Sequence, residues 1–181
     1  MTNAAYPSVV HMLADTAARV PSREALVVGA ERLTYADLLA SSAGFARELA
    51  ALGPAGSVRG ERIAILLPNS IEICVATWAA HAAGAQVVPL NPLYTERELE
   101  AILADAAPAV LLVDAARADL LAPLASRLGI AQAIAIEVGA GRLSGGKAGA
   151  ASLPEPLPSP DDLAFVQYTG GTTGRSKGVN L

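Results

Sequence analysis

Apolar runs rich in Val, Ile and Leu alternate along the chain with amphipathic stretches of helical period, and Gly or Pro punctuates most changes of period. Residues 8–20 predict a first helix, stopped by Pro21. Short strands at 25–28 and 32–34 flank Gly29-Ala30, a hairpin signal. Thr34, with Asp37 three residues on, caps a helix that runs to Leu52 and ends at Gly53. Residues 62–67 predict a buried strand closed by Pro68; Asn69 or Ser70 then caps a helix that Gly84 ends, and 86–90 form the next strand. Thr95 and Glu98 make a capping box, in which the hydroxyl accepts a backbone N–H and the Glu side chain reaches back to the cap. That helix ends before Pro108, and a strand at 110–113, a helix at 116–128 and a strand at 134–138 follow. Strand and helix in this alternation predict an α/β fold, a mostly parallel sheet with flanking helices.

Residues 139–152 change character, being small and Gly-rich, and run into LPEPLPSP, a proline-rich stretch that should be extended. The Gly/Pro-rich loop thus spans 139–160. A short apolar strand at 163–168 then delivers the chain into a second glycine-rich segment. The sequence has no internal repeat.

From 73 to 95 there is no Asp, Glu, Lys or Arg, a length sufficient to cross a bilayer. Pro89 and Pro92 would break its second half, however, so the segment reads as a buried helix followed by a buried strand. The N-terminus lacks the basic start and continuous apolar core of a secretory signal.

The 181 residues are 52% hydrophobic and 17% charged, which excludes disorder for most of the chain and suits one domain with a real core. With 13 basic against 17 acidic residues the net charge is −4, which argues against nucleic acid as a partner. Cys74 is the only cysteine, so no internal disulfide forms; with His11 and His81 as the only histidines, Cys- or His-rich metal clusters are excluded as well. The composition is that of a globular, cytoplasmic protein.

Three patterns in the chain imitate known sites. Gly139-Ala140-Gly141 follows a strand as a dinucleotide-binding turn would, but Ser144 stands where a third glycine belongs and no helix follows. Ser144 and Lys147 have a Ser-x-x-Lys spacing that needs a helix, which Gly145 and Gly146 disfavour. The run from Gly174 to Gly178 fits a nucleophile elbow around Ser176, yet both histidines lie upstream and no general base follows.

The segment YTGGTTGRSKGV, 168–179, is different. Gly170, Gly171 and Gly174 permit positive φ and let backbone N–H groups converge on an anion. Thr169, Thr172 and Thr173 add hydroxyl donors, and a hydroxyl can also ligate Mg²⁺. Lys177 and Arg175 supply charge, each charge-assisted contact contributing about 1.5–3 kcal/mol. No acidic residue follows Asp162, so this end is locally positive in an acidic chain. Lys177 lies between Ser176 and Gly178, which departs from the Gly-Lys-Ser/Thr of a Walker loop.

This segment resembles the phosphate-binding loop of the adenylate-forming superfamily, commonly Y-T-S-G-T-T-G-x-P-K-G-V. The resemblance extends upstream through LTYADL at 33–38, RIAILLPNS at 62–70 and HAAGAQVVPLNPLYTERELE at 81–100, and is weakest in the Gly/Pro-rich loop. The NPLYTERELE run and the YTGG opening are most similar to bacterial long-chain fatty-acid–CoA ligases. Two positions depart from the pattern: Gly171 stands for the commoner serine and Ser176 for the commoner proline, which should loosen the loop before Lys177.

The resemblance implies part of the large N-terminal AMP-binding domain and a two-step reaction. A carboxylate attacks the α-phosphate of ATP, giving acyl-adenylate and pyrophosphate; the CoA thiol then displaces AMP. By position in the motif, phosphate binding is carried to Thr169, Gly170, Gly171, Thr172, Thr173, Gly174 and Lys177, with Thr169 also facing Mg²⁺. The adenine and ribose site, most of the acyl pocket and the C-terminal domain with its lysine would lie beyond Leu181, so the chain reads as a protein cut short and inactive alone. The implied substrate is a small carboxylic acid, with a fatty acid as first choice, and peripheral membrane contact and oligomeric state stay open. The rivals are an adenylate former for an aryl, short-chain or amino acid, and a truncated remnant without catalysis.

Overall fold

The computed structural model describes residues 6–139, 143, 152–169 and 176–181. Its first element, α1 (Val9–Arg19), buries Val10, Leu13 and Ala17, the stripe that helical spacing dictates. A hairpin of β1 (Glu24–Val28) and β2 (Glu31–Thr34) turns at Gly29, whose φ of +58° suits glycine. The helix α2 (Tyr35–Ala50) opens on the expected Thr34 cap, which the structure completes as a capping box: Asp37 N donates to Thr34 Oγ1 at 3.2 Å and Thr34 N to Asp37 Oδ2 at 3.1 Å.

The centre is a four-stranded parallel sheet of β3 (Arg62–Leu66), β4 (Gln86–Pro89), β5 (Val110–Asp114) and β6 (Gln132–Ile136), in the order β4-β3-β5-β6. Between these strands come α3 (Ile71–Ala82), α4 (Glu96–Ala106) and α5 (Ala115–Arg127). The α/β fold with flanking helices expected from the alternation is therefore present. Side chains alternate between two cores. Ile63, Ile65, Val87, Val110 and Leu112 face α1, α2 and α3. Ala64, Leu66, Val88, Leu111 and Val113 face Leu99 and Leu103 of α4 and Leu121 and Leu124 of α5. A strand buried on both faces has no polar alternation, which is why β3 and β5 read as continuous apolar runs. Glu72, in the first turn of α3 and 1% exposed, accepts the Gly139 amide at 3.2 Å and so ties the exit of β6 to that helix.

The apolar stretch at 73–95 divides into the rest of α3, a turn at Gly84 and β4, as expected. No helix among the described residues is long and apolar enough to cross a membrane.

The last described elements are β7 (Val166–Thr169) and β8 (Lys177–Asn180), an antiparallel pair. Phe165, just before β7, forms a parallel bridge with Val87. Val166 and Tyr168 then turn into the α4 side of the core while Gln167 and Thr169 stay exposed.

Candidate functional site

The strand expected at 163–168 is shorter and later than its sequence suggests, and a second strand answers it. In the β7–β8 register Val166 faces Asn180, Gln167 faces Val179, Tyr168 faces Gly178 and Thr169 faces Lys177. The glycine-rich segment is therefore carried on a two-stranded stem. Thr169 and Lys177, the first and last of the predicted phosphate-binding residues, are brought opposite one another, both exposed. Gly170, Gly171, Thr172, Thr173 and Gly174 lie outside the described residues, as do Ala140, Gly141, Ser144 and Lys147 of the two Gly-rich decoys. Ser176 is half-buried and leads into a strand, not a helix, so the hydrolase elbow lacks its turn.

Tyr168, the third residue of β7, reaches α4. Its ring is 5% exposed, and its hydroxyl donates to Asp105 Oδ2 at 2.6 Å, across 63 positions of sequence. Burial first, then the hydrogen bond to Asp105 and that carboxylate's charge, push the phenol well above its ordinary value, so it remains a donor. A Cβ at Gly178 would stand 3.0 Å from Tyr168 Cζ and from Val166 Cγ1. That is tighter than ordinary van der Waals contact, so a larger residue there would require the facing side chains to shift by a few tenths of an ångström. Nearby, Arg62 Nη1 donates to the carbonyl of Ala106 at 2.8 Å, joining the start of β3 to the end of α4.

A second feature lies beside Phe165. Val9, Ile73, Cys74, Thr77, Trp78, His81 and Phe165 line an apolar groove of about 410 Å³. The His81 and Phe165 rings meet edge to face, 4.7 Å between centroids. His81 is 4% exposed and burial lowers its pKa to about 4, so the ring is neutral near pH 7. The other histidine, His11 on α1, shares a 2.9 Å hydrogen bond with Ser8, the residue that precedes the helix. Among the described residues no group of three or more His, Cys, Asp or Glu side chains could hold a metal ion. The hydroxyl of Thr169, exposed at the end of β7, is an oxygen donor of the kind Mg²⁺ accepts.

The AMP-binding enzyme family matches residues 13–181, nearly the whole chain. The chain belongs to that family. It is 31% identical to a long-chain-fatty-acid–CoA ligase of Escherichia coli O6:H1, covering 97% of this chain and 36% of the relative. It is 35% identical to an L-proline–[L-prolyl-carrier protein] ligase of Streptomyces coelicolor, covering 99% of this chain and 35% of the relative. The fold matches the inhibitor-bound N-terminal domain of FACL13 from Mycobacterium tuberculosis with a TM-score of 0.83 at 32% identity, over 97% of this chain and 44% of that domain. This AMP-binding chain thus spans about a third of the two curated ligases and less than half of the solved domain.

Sequence reasoning passed over Asp105 and Arg62. A signal for Asp105 was present: an acid in the last turn of α4 opposes the helix dipole, and that turn carries no basic residue. A carboxylate at such a position needs another reason to be there, and Tyr168 supplies it.

Proposed function

We propose that this chain carries the phosphate-binding part of an ATP-dependent, AMP-forming acid–thiol ligase that activates a fatty acid for transfer to CoA. The observation that carries the reading is the β7–β8 stem, with Thr169 and Lys177 facing each other at the two ends of a Gly- and Thr-rich segment. Membership of the AMP-binding family and the likeness to a fatty-acid–CoA ligase support it.

In this reading Gly170, Gly171 and Gly174 direct backbone N–H groups at the β- and γ-phosphates of ATP, and Thr172 and Thr173 donate hydroxyl hydrogen bonds. Lys177 neutralises charge as pyrophosphate leaves, and Thr169 orients its hydroxyl toward the cation. Mg²⁺, when bound, offsets the charge that develops on the departing oxygens. The chemistry asked of these residues is positioning and charge stabilisation, with no proton transfer. The 181 residues alone hold phosphates without completing acyl-CoA synthesis, and acyl-CoA formed by the purified chain from ATP, CoA and a fatty acid would contradict this. The setting we propose is the cytoplasm.

Titrating the chain with ATP, pyrophosphate and AMP in the presence of Mg²⁺ tests the reading. ATP and pyrophosphate should bind and compete, while AMP, which lacks the β- and γ-phosphates, should not displace them. Equal binding of AMP, or no binding of pyrophosphate, would overturn it.

The similarity to a proline-activating ligase favours one second reading, in which the acid is an amino acid and the acceptor a carrier protein. Both readings assign the same task to residues 169–177; the acid substrate separates them.

A further inference from the structure

We infer that Asp105 and Tyr168 form a clamp that fixes the stem of the phosphate loop, and that Asp105 is a positioning residue for phosphate binding, acting through Tyr168 and never touching the ligand. The positioning role rests on the phosphate-loop reading above; the clamp itself does not.

Four observations meet here. Tyr168 immediately precedes Thr169, and its hydroxyl donates to Asp105 at 2.6 Å. Its ring belongs to the buried cluster that includes Leu99, Ile102, Leu103 and Ala106, so ring and hydroxyl are both engaged with α4. The opposite strand presents Gly178, where a Cβ would come within 3.2 Å of the Tyr168 hydroxyl. The end of α4 is in turn fixed to the central sheet through Arg62 and the Ala106 carbonyl. These contacts run without a break from β3 through the last turn of α4 to Tyr168, and from Tyr168 to both strands of the stem.

The geometry explains what each part does. Asp105 is exposed on its other side, so the clamp has one wet and one buried half. Tyr168 has two ring torsions and one hydroxyl to fix; with packing on the ring and an acceptor on the oxygen, it has one orientation left. Fixing Tyr168 fixes the position of Thr169, and the ladder passes that on to Lys177. Holding Thr169 and Lys177 in place before an anion arrives reduces the conformational freedom lost on binding, so affinity is higher.

The test uses the 181-residue chain, with inorganic pyrophosphate and Mg²⁺ as the probe and amide hydrogen exchange as a readout independent of any ligand. Asp105→Ala and Tyr168→Phe should each speed exchange of the β7 and β8 amides and weaken pyrophosphate binding by about tenfold, the size of one charge-assisted hydrogen bond. The α2 and α3 amides should exchange as before, which separates a local release from general loosening. The double variant should be no worse than either single one, because both remove the same contact. Asp105→Asn keeps a carbonyl acceptor and should restore most of both effects. Unchanged stem exchange in the single variants, or additive effects in the double variant, would overturn the clamp. If the wild-type chain binds no pyrophosphate, the phosphate reading fails and with it the positioning role, while stem exchange still decides the clamp.

Discussion

At the scale of single residues, the side chains that matter most are those with one permitted arrangement. Gly178 faces a tyrosine ring that would stand 3.0 Å from a Cβ, and His81 sits 4% exposed against Phe165 with Nε2 lacking a hydrogen-bond partner among the described residues. His81 has a pH consequence whose sign can be worked out. Its pKa falls from 6.5 to about 4 because burial disfavours the charged ring. The unfolded chain therefore takes up a proton as pH drops below about 6.5 while the folded chain does not, and stability is lost as pH falls from there toward 4. Each pH unit in that window costs at most about 1.4 kcal/mol, roughly 3 kcal/mol in all. Urea melts between pH 7 and 4.5 should show this loss, and His81→Phe should flatten the profile between pH 6.5 and 5. An unchanged profile in the variant would assign the loss to other groups. Asp15 and Glu98 have pKa values lowered by their own hydrogen bonds, first to Tyr6 and to the Thr95 backbone respectively, and lose their contribution only at more acid pH. The glycines, threonines and lysine of residues 169–177 could be proposed as phosphate ligands from the sequence because that chemistry resides in residue type and spacing. Asp105 was not, because its role depends on a partner 63 positions away.

Among elements, those defined by local chemistry were the readable ones. The Thr34 cap and the Thr95–Glu98 capping box stand where the residue pattern put them, and Asp37 completes a second box at Thr34. Thr95→Ala should destabilise the chain by about 1 kcal/mol, as loss of an N-cap does, measured by urea or thermal melts. A change below about 0.3 kcal/mol would mean that tertiary packing alone holds the start of α4. Boundaries were less legible: α2 stops at Ala50 short of Leu52, and β6 begins at Gln132, two positions before the apolar run at 134–138. β6 is an edge strand with exposed Gln132, Ala133 and Ala135, and its start is set by pairing with β5, not by its own side chains. The strand β8 was missed for the same reason. Lys-Gly-Val-Asn has low strand propensity and is exposed throughout, so only the ladder to β7 makes it a strand. Within α5, Pro123 is on the exposed side of the helix, and Leu121, Leu124 and Ala125 hold the helix to the core despite it.

For the molecule as a whole, the alternation of period and the Val/Ile/Leu runs were enough to give an α/β fold with a parallel sheet, but not the strand order. The order β4-β3-β5-β6 requires the chain to cross back over β3 after β4, and nothing local in the sequence records that step. What the whole fold contributes to function is support. The parallel sheet anchors the end of α4, α4 holds Tyr168, and Tyr168 is part of the β7–β8 stem that flanks the proposed phosphate-binding residues. The central claim is that residues 169–177 bind the phosphates of ATP, and one titration tests it directly: Mg²⁺–pyrophosphate into the wild-type chain and into Lys177→Ala. Lys177 is exposed on β8, so its removal should leave the melting temperature unchanged. Loss of its charge should weaken binding by about ten- to a hundredfold, the worth of one charge-assisted contact. Binding of equal strength in the two proteins would contradict the account.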